Sequence, residues 1–252
     1  MNAEAAIGLS DQVLGCLFDL DGVITRTATV HAAAWKEMFD AYLEKAAKRD
    51  HAPFVPFDEI TDYDAYVDGR SREDGARAFL ESRKITLPEG QPDDAAGAET
   101  IAGLSNRKND IVERRIREDG VQAYEGSVRY VRAVRADRLR CAVVSSSANC
   151  QAVLAAARIE DLFDERIDGL TALRQHLKGK PAPDMFLAGA RALGLKPEQC
   201  AVFEDALAGV AAGRAGGFAQ VIGVDRVGQA QALAEHGADI VVSDLAELLG
   251  EK

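Results

Sequence analysis

Val13–Thr25 reads VLGCLFDLDGVIT, an apolar run through Phe18 that stops at Asp19-Leu20-Asp21-Gly22. An apolar stretch of this length, cut off by acids and a glycine, predicts a buried strand running into a loop. Two later stretches repeat the pattern. Arg140–Val144 (RCAVV) stops at Ser145-Ser146-Ser147, and Cys200–Phe203 (CAVF) stops at Glu204-Asp205, with helices predicted over Gln151–Ala157 and Ala208–Arg214. Lys178–Asp184 (KGKPAPD) reads as a loop stiffened by Pro181 and Pro183, with a helix over Met185–Leu193. Ala219–Val224 and Ile240–Val242 complete the series. Strands that alternate with helices predict an α/β fold, a doubly wound parallel sheet with helices on both faces.

Between the first strand and the rest lies a different pattern. His31, Trp35, Met38, Phe39 and Tyr42 recur at spacings of three and four, an apolar helix face. Residues 46–60 are polar and carry Pro53 and Pro56, which predicts a loop; 58–67, 72–84 and 107–118 read as helical, and 86–100 as loop. We therefore expect a helical cap domain over residues 28–122, inserted into a core formed by residues 1–27 and 123–252.

With 252 residues, 28% of them charged, the chain has the composition of a globular protein with one large core plus an accessory unit. Its net charge of −11 argues against nucleic acid or an anionic membrane as partner, because both demand a basic surface. No stretch approaches the roughly 18 apolar residues of a membrane helix. The opening MNAEAAIGLSDQ has no basic segment followed by an apolar run, so a cytoplasmic location is expected. Cys16, Cys141, Cys150 and Cys200 are scattered, which predicts buried reduced thiols rather than a zinc site.

In an open parallel sheet, ligands bind beyond the carboxyl ends of the strands, so the residues after Phe18, Val144 and Phe203 are expected to converge. Asp19 and Asp21 stand two apart at such an exit: one can attack phosphorus while the other handles a proton, and Gly22 lets the chain turn. Taken alone, that pair is also compatible with an acidic turn. Glu204 and Asp205 are adjacent acids that repel unless a cation lies near, and magnesium takes such oxygen ligands. A carboxylate attacking a phosphate needs positive charge between them, which Lys180 can add as a point charge. Ser145–Ser147 can offer hydroxyls and backbone N–H groups to phosphate oxygens.

This set resembles the haloacid dehalogenase superfamily, and within it the β-phosphoglucomutase-like family. DLDGVIT (Asp19–Thr25), the serines at Ser145–Ser147, KPAPD (Lys180–Asp184) and FED (Phe203–Asp205) match its four core motifs in order. HAAAW (His31–Trp35), GRSRED (Gly69–Asp74) and NRKND (Asn106–Asp110) extend the likeness into the cap, so it covers nearly the whole chain. The resemblance implies an aspartyl-phosphate on Asp19, with Asp21 as general acid and base. It implies magnesium held by Asp19, Asp21 (through its backbone carbonyl), Glu204 and Asp205, and phosphoryl binding by Ser145 and Lys180. It further implies substrate binding by His31, Trp35, Gly69, Arg70, Arg72, Ser147 and Asn149, with Arg72 clamping a distal phosphate. The expected substrate is a small phosphorylated sugar. A cap that excludes water makes a mutase interconverting β-D-glucose 1-phosphate and D-glucose 6-phosphate; water entry makes a sugar-phosphate phosphatase. A monomer is expected. The chain departs from the family pattern at Arg26, where an acid is usual, and at Ala148, where a basic residue is usual.

Overall fold

The computed structural model describes residues 7–250; the first six residues of the N-terminal stretch and the last two of the chain lie outside it. The described residues form two compact units, 7–26 with 121–250 and 27–120.

The first unit carries six parallel strands: β1 (Gly15–Phe18), β2 (Arg140–Val144), β3 (Glu165–Ile167), β4 (Cys200–Glu204), β5 (Gln220–Val224) and β6 (Ile240–Val242). Its helices are α4 (Glu125–Ala136), α5 (Cys150–Ala157), α6 (Gly169–Gln175), α7 (Asp184–Ala192), α8 (Leu207–Ala215) and α9 (Ala230–Glu235). The strand order is β3-β2-β1-β4-β5-β6. From β1 the chain winds outward through β2 to β3, then returns to the other side of β1 with β4. The order reverses at β1, and the crevice there is where a doubly wound sheet binds its ligand.

Period-two alternation assigns the faces. Leu17, Ala142, Val144 and Val202 pack with Met185 and Phe186 of α7 in one apolar cluster. Phe18 points the other way: it stacks on Phe203 at 4.4 Å between ring centroids and meets Tyr130 of α4 edge-on at 6.4 Å. The strands at the centre of the sheet are buried end to end, as strands covered on both faces must be.

The second unit is helical: α1 (Ala28–Asp50), a π-helical turn (Tyr63–Val67), α2 (Arg72–Ser82) and α3 (Ile101–Asp119). Its own core joins Trp35, Met38, Phe39 and Tyr42 of α1 to Phe57, Phe79, Leu80, Leu104 and Val112. Two expectations need correction. Helix α1 continues through the stretch read as loop, to Asp50, where His51 takes a left-handed conformation just before Pro53. Helix α3 starts at Ile101 rather than near 107, because the Thr100 side chain accepts the Gly103 N–H and caps it. No helix among the described residues is long and apolar enough to cross a membrane. The four cysteines are buried and free of disulfides; burial pushes the Cys141 and Cys200 thiols up to about 12.

Candidate active site

Asp19 is the first residue beyond β1, and its N–H still donates to Phe203 O at 2.9 Å. Its carboxylate therefore emerges at the point where the strand order reverses. Lys180 arrives from the loop before α7 and is 2% exposed; its ammonium pairs with Asp19 Oδ1, lies 2.5 Å from Glu204 Oε1, and donates to Val144 O at 3.4 Å. Glu204, at the end of β4, is fully buried, and its Oε2 accepts the Ala206 N–H at 3.1 Å. Asp205 follows, 8% exposed. Two strand ends and one loop thus bring Asp19, Lys180, Glu204 and Asp205 together, with the Val144 carbonyl at the end of a third strand, β2, accepting from Lys180.

Charge at this site does not balance. Asp19, Glu204 and Asp205 each place a carboxylate oxygen within 4.8 Å of the others, against the single ammonium of Lys180. Burial pushes the Asp19 carboxyl well above the usual carboxylate range; Lys180 pulls it down, and Glu204 and Asp21 push it further up. Burial disfavours the Lys180 ammonium too, but Asp19 and Glu204 outweigh that and hold the amine above the ordinary lysine range. A buried ion costs several kcal/mol unless compensated. An all-oxygen donor set with surplus negative charge fits a hard divalent cation such as magnesium. The Asp21 carboxylate is outside this trio and faces Ser145, whose Oγ lies 3.5 Å from Asp21 Oδ2.

Two glycines make room for the acids. Gly22 has φ +89°, and a Cβ there would collide with the Asp205 carboxylate. Gly209 in α8 would drive a Cβ into the Glu204 carboxylate. The sequence signal for Gly209 is a glycine in the first turn of a helix whose N-cap directly follows Glu-Asp.

The serine loop is built by its own hydroxyls. Ser145 N–H donates to Ile167 O at 2.9 Å, Ser145 Oγ accepts the Ser147 N–H at 3.1 Å, and Ser147 Oγ accepts the Asn149 N–H at 3.1 Å. Ser145 is buried, whereas Ser147 and Asn149 are half-buried.

The remaining expected site residues belong to the second unit. Gly69 has φ +69° and turns the chain toward Ser71, whose Oγ accepts the Asp74 N–H and caps α2. Arg70 and Arg72 are half-buried, and Arg72 Nε donates to Glu73 Oε1 at 2.8 Å. His31 is 9% exposed, with Nδ1 2.8 Å from Lys108 Nζ. Lys108 is 6% exposed and lies 4.9 Å from the Trp35 ring centroid. Trp35 itself is buried in the core of this unit, stacked on Phe39 at 5.1 Å. Lys108 was not singled out from sequence. Its signal was a cation at the centre of the apolar series Leu104, Lys108, Val112 on α3, each four residues apart.

A family model described as haloacid dehalogenase-like hydrolase matches residues 13–217. The chain is similar to a β-phosphoglucomutase of Mycobacterium bovis, 56% identical over 246 residues that span 96% of this chain and 94% of that protein. It is 32% identical to a β-phosphoglucomutase of Bacillus subtilis, over 92% of this chain and 90% of the other. The crystal structure of β-phosphoglucomutase from Clostridium difficile superposes with a TM-score of 0.73 at 26% identity, covering 94% of this chain and 93% of that one.

Proposed function

This chain belongs to the haloacid dehalogenase-like hydrolase family, and from that premise we propose that it is a magnesium-dependent phosphomutase interconverting β-D-glucose 1-phosphate and D-glucose 6-phosphate. The observation that carries the proposal is the meeting of Asp19, Lys180, Glu204 and Asp205 at the switch point of the sheet, on a chain 56% identical to a β-phosphoglucomutase.

The Asp19 carboxylate attacks the phosphorus of a bound sugar bisphosphate. The P–O bond to the sugar breaks as an acyl phosphate forms on the Asp19 carboxylate, and Asp21 gives its proton to the departing sugar oxygen. For the return transfer a hydroxyl of the sugar monophosphate loses its proton to Asp21 and takes the phosphoryl group from Asp19. Lys180 neutralises the two anions as they approach, and the Ser145 hydroxyl donates to a phosphoryl oxygen. Bound magnesium would add positive charge at the same place, held by the Asp19, Glu204 and Asp205 carboxylates and the Asp21 carbonyl. Arg72 is the proposed clamp on the phosphate that is not transferred, since its guanidinium presents a permanently charged fork. Gly69, Arg70, Ser147, Asn149, His31 and Trp35 complete the proposed substrate contacts. In this reading the protein acts in the cytoplasm as a monomer on a small phosphorylated sugar, its acidic charge favouring neither nucleic acid nor an anionic membrane.

The test is an assay with β-glucose 1-phosphate, magnesium and a trace of glucose bisphosphate. Glucose 6-phosphate should accumulate. Free phosphate without glucose 6-phosphate would reject the mutase in favour of a sugar-phosphate phosphatase.

A further inference from the structure

Arg226 lies in the loop after β5, more than 200 residues along the chain from Asp19 and Asp21, yet it fastens the turn that follows the nucleophile. Its side chain is only 13% exposed. Nε donates to Gly22 O at 2.9 Å; one terminal nitrogen lies 3.4 Å from Val23 O and 3.2 Å from Ser127 Oγ; the other donates to Ser243 O at 2.6 Å and lies 3.3 Å from Asp244 Oδ2. The guanidinium also lies 3.7 Å from the centroid of the Tyr124 ring, within cation–π range. A second guanidinium, that of Arg26, lies 4.7 Å from the same centroid.

What Arg226 holds is the segment beyond the strand. Asp19 is fixed by the sheet through Phe203 and by Lys180. Asp21 has left the sheet, and its turn is closed internally by Gly22 N–H to Thr25 O at 2.8 Å and by Ile24 and Thr25 N–H to Leu20 O. External fastening comes from the Arg226 fork on Gly22 and Val23, from Ser127 Oγ donating to Val23 O at 2.7 Å, and, further along the turn, from Tyr124 N–H donating to Ile24 O at 2.8 Å. Only a planar, five-donor group can reach these acceptors together; an ammonium on a flexible stem cannot. We infer that Arg226 is a positioning residue for the proton-transfer step: it fixes the Gly22–Val23 backbone and thereby the direction of Asp21. The inference rests on the proposed role of Asp21 as general acid and base, and it concerns a residue that this role does not itself require.

A general acid matters in proportion to how badly the leaving group needs a proton, and it is worth about 10²–10⁴ in rate. A sugar alkoxide needs one, whereas a nitrophenolate does not. Arg226→Met should therefore lower kcat for the sugar-phosphate reaction by about 30-fold or more, with KM within about 3-fold, while phosphoenzyme formation from p-nitrophenyl phosphate falls less than about 3-fold. Arg226→Lys should resemble Arg226→Met, because charge without the fork does not restore the turn. Arg135→Met is the control: Arg135 lies in the same unit and binds Leu162 O at 3.2 Å and Asp164 Oδ1 at 2.9 Å. It should lower the melting temperature and leave both rates alone. Equal losses on the two substrates, rescue by lysine, or no greater loss than in Arg135→Met would overturn the inference. So would failure of both Arg226 variants to fold by circular dichroism, which would make the residue purely structural. Wild-type protein that forms no glucose 6-phosphate would instead reject the proposed function itself.

Discussion

At the scale of single residues, the active-site acids are held where their charge is unfavourable. Asp19 and Glu204 share one ammonium, and Asp205 adds a third carboxylate within 4.8 Å. Such an arrangement is retained for chemistry at the expense of stability. Asp19→Asn should abolish nearly all phosphoryl transfer, measured with either a sugar phosphate or an aryl phosphate. The same variant should raise the melting temperature of the metal-free protein by roughly 2–4 °C, the shift expected for relief of about 1 kcal/mol of like-charge strain. A lower melting temperature would mean that the acids are not strained. Lys180→Met should do the reverse, losing both turnover and about 3–5 kcal/mol of stability, because it strands two buried carboxylates. Gly22→Ala combines a positive φ of +89° with a Cβ directed into Asp205. Its expected consequence is loss of magnesium-activated turnover together with at least about 1 kcal/mol in denaturant unfolding.

At the scale of elements, the strand ends explain why so much of the site was legible. Asp19, Ser145 and Glu204 each directly follow or close an apolar run, and a buried parallel strand is an unambiguous pattern once a loop of acids or serines ends it. Lys180 was legible because Pro181 and Pro183 mark its loop. Other elements carried weaker signals. Strand β3 is three residues, Glu165-Arg166-Ile167, with only the last buried, so neither length nor alternation identified it. The end of α1, Glu44–Asp50, is five charged residues around Ala46 and Ala47, with only Ala46 packed against the core, and such a charged stretch imitates a loop. Arg226 was invisible from sequence, because a lone arginine in a polar loop gives no hint that Gly22 O lies 2.9 Å from its Nε. The paired acids at the end of β4 carry their own prediction. Magnesium should raise the melting temperature of the wild type, chelation should reverse the rise and stop turnover, and Glu204→Gln with Asp205→Asn should abolish the shift. An unchanged magnesium response in the double variant would remove these residues as ligands.

At the scale of the whole molecule, the two units have separate cores and separate tasks in the proposed reaction. The connecting segments pair with one another: Arg26 N–H donates to Gln122 O at 2.8 Å and Tyr124 N–H to Ile24 O at 2.8 Å. The chain therefore leaves and re-enters the α/β unit at neighbouring points, a geometry that tolerates excision. Replacing residues 27–120 with a short Gly/Ser linker should leave a cooperatively folding protein that still accepts a phosphoryl group from an aryl phosphate. It should make no glucose 6-phosphate, since Arg72 and its neighbours are gone. Retained mutase activity would contradict their assignment.

The most direct measurement is chemical trapping of the phosphoenzyme. Wild-type protein incubated with glucose bisphosphate and magnesium, then reduced with borohydride and digested, should yield homoserine at position 19, the product of an acyl phosphate at that carboxylate. Phosphate recovered on Ser145, or an unmodified Asp19 in protein that is turning over, would contradict the account.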